Sequence, residues 1–224
     1  MEPDVTVFVV DDDEQARNSV CVLVSSMGGR ALGFKSGEDF LREYRGEPGC
    51  LVADLRMPGM SGLELQEHLL RQERLLPVVM LTGFARTPLI VRAMKAGAIT
   101  LLDKPYADDE LWTAIRTALA QEARLRARHL RQREIRARLA SLTPLERKVL
   151  DLVIAGRPNK AIASEMEVSL RTVENRRHDV LSKMHARTVP ELVRLMLEAN
   201  RPLSFVSTED ETPPFLDDGG PRPA

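Results

Sequence analysis

The chain has 224 residues, of which 43% are hydrophobic and 29% charged, with a formal net charge of −1. That length suits one or two domains and that composition a soluble globular protein with ample core; no apolar run approaches the roughly 20 residues of a membrane-spanning helix. The acidic start MEPD has no apolar stretch of the signal-peptide kind, and Cys21 and Cys50 sit in apolar surroundings, so they read as small core residues of a cytoplasmic protein rather than a disulfide or a metal site.

In chain order, strands are predicted at 5–11 (VTVFVVD), 30–34 (RALGF), 50–54 (CLVAD), 77–82 (PVVMLT) and 98–102 (AITLL). Several are near-continuous apolar runs, as parallel strands buried on both faces require. Helices are predicted near 14–27, 37–44, 62–73 and 87–96, with a fifth from about 108; Ser36 with Asp39 three residues later marks an N-terminal cap. Alternating β and α units of this length imply a doubly wound, flavodoxin-like five-stranded parallel sheet with right-handed crossovers.

From 108 to 141 the pattern is one long helix. Trp112, Ile115 and Leu119 give its start an apolar stripe, and Arg124, Arg126, Arg128, Arg131, Arg133, Arg136 and Arg138 crowd its second half. It reads as a solvated connecting helix, or as one that also pairs with a second copy or touches DNA phosphates. Residues 142–200 read as all-helical. Thr143-Pro144-Leu145-Glu146 is a capping box with proline at the first helical position, opening a helix that runs to about Ala155 and stops at Gly156. A short helix follows, from about Asn159 to Met166; Ser169 caps a longer one to about Met184; Thr188 with Glu191 reads as another capping box before the last helix. Residues 201–224, with TPPF and GGPRPA, have the composition of a disordered tail. Charge follows these divisions: −6 over 1–110, +6 over 111–141, +2 over 142–200 and −3 over 201–224. Separate jobs for the segments are implied.

The run Asp11-Asp12-Asp13-Glu14 directly after a buried strand needs an explanation, because each carboxylate raises the cost of ionising its neighbour. In an open α/β sheet ligands bind beyond the carboxyl ends of the strands, where the strand order reverses. For the order 2-1-3-4-5 that point lies between the first and third strands, whose ends are Asp11-Asp12 and Asp54. Three carboxylates converging there suit a hard cation, and Mg²⁺ fits best. Thr82 ends the fourth strand and Lys104-Pro105 follows the fifth, so a hydroxyl and an ammonium face the same crevice. Such a site suits a phosphoryl group, with an aspartate as nucleophile and Thr82 and Lys104 stabilising the transferring oxygens.

VVDDDE, DLRMPGMSG (54–62), MLTG (80–83) and LDKPY (102–106) resemble the receiver domain of bacterial two-component response regulators, over residues 4–121. The resemblance implies that Asp54 accepts phosphoryl from a sensor histidine kinase and that Asp11, Asp12, Asp54 and the backbone carbonyl of Arg56 bind Mg²⁺. It implies a cis Lys104–Pro105 peptide and makes Asp13 a helix-start residue rather than a ligand. This sequence departs from the family at Leu101, where receivers usually carry Tyr or Phe; Phe84 or Tyr106 are the candidates to take that part.

The second half contains a helix-turn-helix, NKAIASEMEVSLRTVENRRHDVLSKM (159–184). At 100° per residue Val173, Val180, Leu181 and Met184 share one face of the longer helix, and Arg171, Asn175, His178 and Ser182 fall opposite. Thr172, Arg176 and Lys183 flank that outer face, while Arg177 lies near the core and reads as a packing or salt-bridge residue. A polar, partly basic face can enter a major groove, with Asn175 reading a base edge and Arg and Lys meeting phosphates; Asn159 and Lys160 at the start of the short helix complete the DNA-binding candidates. LTPLERKVL, AGRPNKAIA and SLRTVENRR resemble the LuxR/NarL-type DNA-binding domain, over 138–200, and the whole resembles a FixJ-branch regulator. The implied organisation is a receiver (4–121), a helical linker (122–141), a four-helix helix-turn-helix domain (142–200) and a tail (201–224). The implied partners are a sensor histidine kinase, promoter DNA, RNA polymerase and a second copy upon phosphorylation. A Mg²⁺-dependent phosphatase or phosphotransferase using Asp54 as nucleophile is the rival reading, against which stand the helix-turn-helix and the lack of a cap domain or substrate-binding insertion; a pure interaction protein with an unused acidic pocket is a third, disfavoured by the complete set Asp11, Asp12, Asp54, Thr82 and Lys104.

Overall fold

The computed structural model describes residues 5–72, 74, 76–83 and 87–202. From residue 203 onward the expectation of a disordered tail falls outside the described residues. The strands are β1 (Thr6–Val10), β2 (Arg30–Phe34), β3 (Gly49–Asp54), β4 (Val78–Thr82) and β5 (Thr100–Asp103), all parallel and in the order β2-β1-β3-β4-β5. This is the doubly wound sheet expected. Helices α1 (Glu14–Ser26) and α5 (Asp108–Ala140) cover one face, where Val20, Val24, Leu111 and Ile115 pack on Val7, Val9 and Val52. Helices α2 (Gly37–Glu43), α3 (Gly62–Arg71) and α4 (Thr87–Lys95) cover the other, where Phe40, Leu65, Leu69 and Ala93 pack on Phe8, Leu51 and Met80. Both faces of β1, β3 and β4 are therefore buried, which is why their sequences are apolar without alternation.

Most boundaries fall within two residues of the expected ones. β5 starts two residues late because Gly97, at φ 84°, and Ala98 finish α4: Gly97 N–H donates to the Met94 carbonyl and Ala98 N–H to that of Ala93. Backbone in the left-handed region suits glycine, and a donor spent on a helix end is not free for a ladder. The Lys104–Pro105 peptide is cis.

The chain divides into two compact units between Glu122 and Ala123, inside α5. The second unit contains the rest of α5 with α6 (Pro144–Ile154), α7 (Asn159–Glu165), α8 (Leu170–Lys183) and α9 (Val189–Asn200). The end of α5 is not a solvated connector. Ile135 is buried in the same core as Leu150, Ile162, Val173, Val180 and Leu192, and Leu139 packs against it. Gln132, 1% exposed, donates to the carbonyls of Glu198 and Arg201, and the Arg136 guanidinium donates to that of Ala199. Thus α5 satisfies the orphan carbonyls at the end of α9. The arginine-rich sequence hid this, because Ile135, Leu139 and Leu142 are scattered among and behind seven arginines between 124 and 138.

The capping box at Thr143 and Glu146 is complete. That at Thr188 is half formed. Glu191 N–H donates to the Thr188 hydroxyl, but the Glu191 carboxylate accepts from Arg187 N–H, one residue before the cap, and not from Thr188.

Candidate functional site

The carboxyl ends of β1, β3, β4 and β5 bring four of the expected residues to one edge of the sheet. Asp11 follows β1, Asp54 ends β3, Thr82 ends β4 opposite Asp103, and Lys104 comes next. Lys104 Nζ lies 2.8 Å from Asp11 Oδ2 and 2.7 Å from Asp54 Oδ1. Asp54 Oδ2 accepts from Arg56 N–H at 2.7 Å, and Asp11 Oδ1 from Asp13 N–H at 2.9 Å. Asp11, Asp54 and Thr82 are buried, and Lys104 is half-buried. Burial by itself would pull the Lys104 pKa down; the hydrogen bonds and charges of Asp11 and Asp54 outweigh it, so the ammonium is held above its ordinary range. The crowding of acids read from sequence is therefore relieved first by a residue 93 positions away.

Asp12 is exposed beside this pair. Asp13 caps α1, accepting from Gln15 and Ala16 N–H at 2.7 and 3.1 Å, and these two backbone donors hold its carboxyl below the usual range. Its expected helix-start role is borne out. The remaining donors, three carboxylates and the Arg56 carbonyl, are all hard oxygens, the chemistry Mg²⁺ selects. Among the described residues no three acidic side chains form a ligating cluster, and Lys104 is bonded to both Asp11 and Asp54. Each carboxylate oxygen there has a lone pair beyond the hydrogen bond it accepts, so the set fits a cation with water completing its shell.

Leu101 pairs with Met80 in the β4–β5 ladder and packs with Leu89 and Ala96 on the α2–α3–α4 face. Tyr106 packs on the opposite, α1–α5 face, against the same cluster as Trp112. It lies on the other side of the sheet from Leu101. Phe84 lies outside the described residues.

In the second unit, Ser169 caps α8, and its hydroxyl accepts from Thr172 N–H and meets the Thr172 hydroxyl at 2.8 Å. Thr172 thus serves the cap. Arg171, Asn175 and His178 are exposed together along the outer face, and Lys160 is exposed on α7. Arg176 is 3.6 Å from Asp179. Arg177 donates to Asn159 Oδ1 at 2.8 Å, joining α8 to the start of α7; it is a packing residue, as read, although its partner is an amide. Asn159, expected at DNA, faces this internal contact.

Lys183 departs most from its expected place. Its Nζ lies 2.9 and 2.7 Å from the two carboxylate oxygens of Glu146, whose side chain is 3% exposed. The ammonium is tied to the domain core and not extended toward a phosphate. Sequence reading assigned Glu146 only to the cap; a glutamate among Val149, Leu150 and Val153 on a helix's inner side was the signal for a buried partner. Lys183, then the Thr143 N–H, hold the Glu146 pKa down to about 2, from 4.5. A lowered folded-state pKa stabilises fully above the unfolded value and is lost as pH falls through the folded one. Glu146→Gln is expected to unfold at lower temperature than wild type at pH 7, with the gap closing between about pH 4.5 and 2. Thermal unfolding at several pH values checks this; a gap independent of pH would refute it.

Two family models match the chain: the response regulator receiver domain over residues 7–116 and the bacterial regulatory proteins of the luxR family over 140–196. The transcriptional regulatory protein FixJ of Bradyrhizobium diazoefficiens is 40% identical over 86% of this chain and 95% of its own length. FixJ of Azorhizobium caulinodans is 38% identical over 95% of this chain and 100% of its own. Among solved structures, the response regulator StyR is 41% identical and superposes with a TM-score of 0.76, over 86% of this chain and 98% of that one.

Proposed function

Because the chain belongs to the FixJ branch of the two-component response regulators, a receiver domain followed by a LuxR-type helix-turn-helix domain, we propose that Asp54 is its phosphoacceptor and that phosphorylation there controls binding of α8 to promoter DNA. The protein is a phosphorylation-dependent transcription regulator. The observation that carries the Asp54 assignment is the contact of Lys104 Nζ with both Asp54 and Asp11 at the switch point of the sheet.

A carboxylate oxygen of Asp54 attacks phosphorus in the phosphohistidine of a sensor kinase; the new P–O bond forms as the P–N bond breaks, and the imidazole leaves with the electron pair. Lys104 moves from neutralising the carboxylate pair to neutralising the phosphoryl oxygens, and the Thr82 hydroxyl donates to one of them. Asp11, Asp12, Asp54 and the Arg56 carbonyl would hold Mg²⁺, which would supply the further positive charge that three phosphoryl oxygens need. The chemistry of this protein is confined to gaining and losing its own phosphoryl group. It works in the cytoplasm; among the described residues no helix is long and apolar enough to cross a membrane. The domain boundaries proposed are a receiver to 121, a linker to 141 and an output domain to 200, with the linker's end serving as an additional helix of the output core.

One recognition helix offers a small interface, so specific binding needs two copies on a pseudo-palindromic site, where they recruit RNA polymerase. On α8, Arg171, Asn175 and His178 face the groove, with Thr172 and Arg176 at its edge and Lys160 near a phosphate; Asn159 and Lys183 act through their partners Arg177 and Glu146. Sedimentation velocity with and without a phosphoryl analogue, paired with operator titrations, tests the scheme. Phosphorylated protein is expected to sediment as a dimer and bind operator more tightly than random duplex. A monomer both free and on operator would overturn it.

A further inference from the structure

The second half of α5 carries more positive charge than its own unit neutralises. Arg131 pairs with Glu198 at 2.6 Å, Arg138 with Glu134 at 3.5 Å, and Arg136 donates to the Ala199 carbonyl. Arg126 and Arg133 are exposed and have no carboxylate within 4.0 Å among the described residues. At 100° per residue these two lie on one stripe with Leu130, which is 56% exposed, and that stripe is opposite the face bearing Ile135 and Gln132. It is a surface with an apolar centre between two free cations.

The chain itself carries the complement. Residues 201–224 contain five acids and two bases, with Glu209-Asp210-Glu211 together and Phe205 and Phe215 on either side. The described chain ends at Pro202, and the preceding carbonyl, that of Arg201, is bonded by Gln132 on α5 at 2.7 Å. The tail therefore departs from the side of α5 itself. Six residues lie between Pro202 and Glu209, and the seven steps from one to the other reach at most about 25 Å, against a helix about 10–12 Å across with its side chains. Tethering of that length corresponds to a local concentration of order millimolar.

We propose that the acidic tail, through Glu209–Glu211, docks on the Arg126–Leu130–Arg133 stripe of α5 and keeps those arginines from nucleic-acid phosphates. The docking itself does not depend on the DNA-binding reading; its consequence, lower affinity for non-specific DNA, rests on it. A tail that occupies the stripe competes with any polyanion, and the competition weakens as salt screens it, with a Debye length of about 10 Å at 0.1 M.

Two full-length variants test this: Glu209→Gln/Asp210→Asn/Glu211→Gln, and Arg126→Gln/Arg133→Gln. Without DNA, the amide signals of residues 205–211 are expected to shift in the arginine variant relative to wild type, independently of protein concentration. With random-sequence duplex at 50 mM salt, the tail variant is expected to bind about three- to tenfold more tightly than wild type, and less than about twofold at 300 mM. Combined with the arginine variant, the tail changes are expected to bring no gain. Unmoved tail signals overturn the proposal. So does an equal gain in both backgrounds, which would mark a general effect of net charge, and so do shifts that grow with concentration, which would assign the stripe to a second copy. Tail signals that respond while the protein binds neither operator nor random duplex would count against the DNA-binding reading and leave the docking in place.

Discussion

Asp54→Asn is expected to abolish labelling by acetyl phosphate, while wild-type protein gains one phosphoryl group. The substitution keeps the shape of the side chain and removes the nucleophilic carboxylate. Lys104 retains its 2.8 Å contact with Asp11, so the pocket keeps one ion pair and the fold is expected to survive. The loss should be complete, because among the described residues no other carboxylate is placed as Asp54 is: ending β3 in the centre of the sheet and held by both Lys104 Nζ and the Arg56 N–H. Intact-mass measurement with Mg²⁺ present decides it. Equal labelling of the two proteins would move the phosphoacceptor elsewhere.

Gly62→Ala is expected to damage the same site through the backbone. Gly62 is the first residue of α3, where alanine would ordinarily favour the helix by as much as about 1 kcal/mol. Here a Cβ would overlap the carbonyl oxygen of Asp54 and lie 3.1 Å from its carbonyl carbon and 3.3 Å from Leu55 Cα. These are backbone atoms of the buried strand end and its turn, so no side-chain rotation relieves the overlap. The cost of overpacking, about 1–3 kcal/mol, wins over propensity. Trp112 is the only tryptophan and packs within the sheet's α1–α5 face, so its fluorescence reports this unit. Denaturant unfolding followed at Trp112 is expected to show a lower midpoint for the variant, together with slower labelling of Asp54. An unchanged midpoint would show that α3 can shift away from β3 at little cost.

Much of this molecule is legible along the chain. The continuous apolar strands, the turns between them and the acids at their ends specify a parallel sheet with a polar crevice, because burial on both faces leaves a strand no room to alternate. Ser36, Asp13, Thr143 and Ser169 announced their helix starts, since a cap is a contact between residues three apart or fewer. Asp11, Asp54, Thr82 and Lys104 could be placed at one edge of the sheet because each is the last or next residue of a strand whose end could be read.

What only the tertiary structure decided are contacts between positions far apart in sequence. That Lys104 would bridge Asp11 and Asp54 and so relieve their repulsion depends on three strand ends meeting. The commitment of Lys183 to Glu146 depends on α8 crossing α6, and the junction of Arg177 with Asn159 on α8 meeting α7. The end of α5 reads as a charged connector until α9 is packed beside it, and then Gln132 and Arg136 become the partners of its open carbonyls. Periodicity tells which face of an element is apolar; it does not tell which charged side chain on the other faces will find a buried partner, because that depends on which element arrives there in the fold.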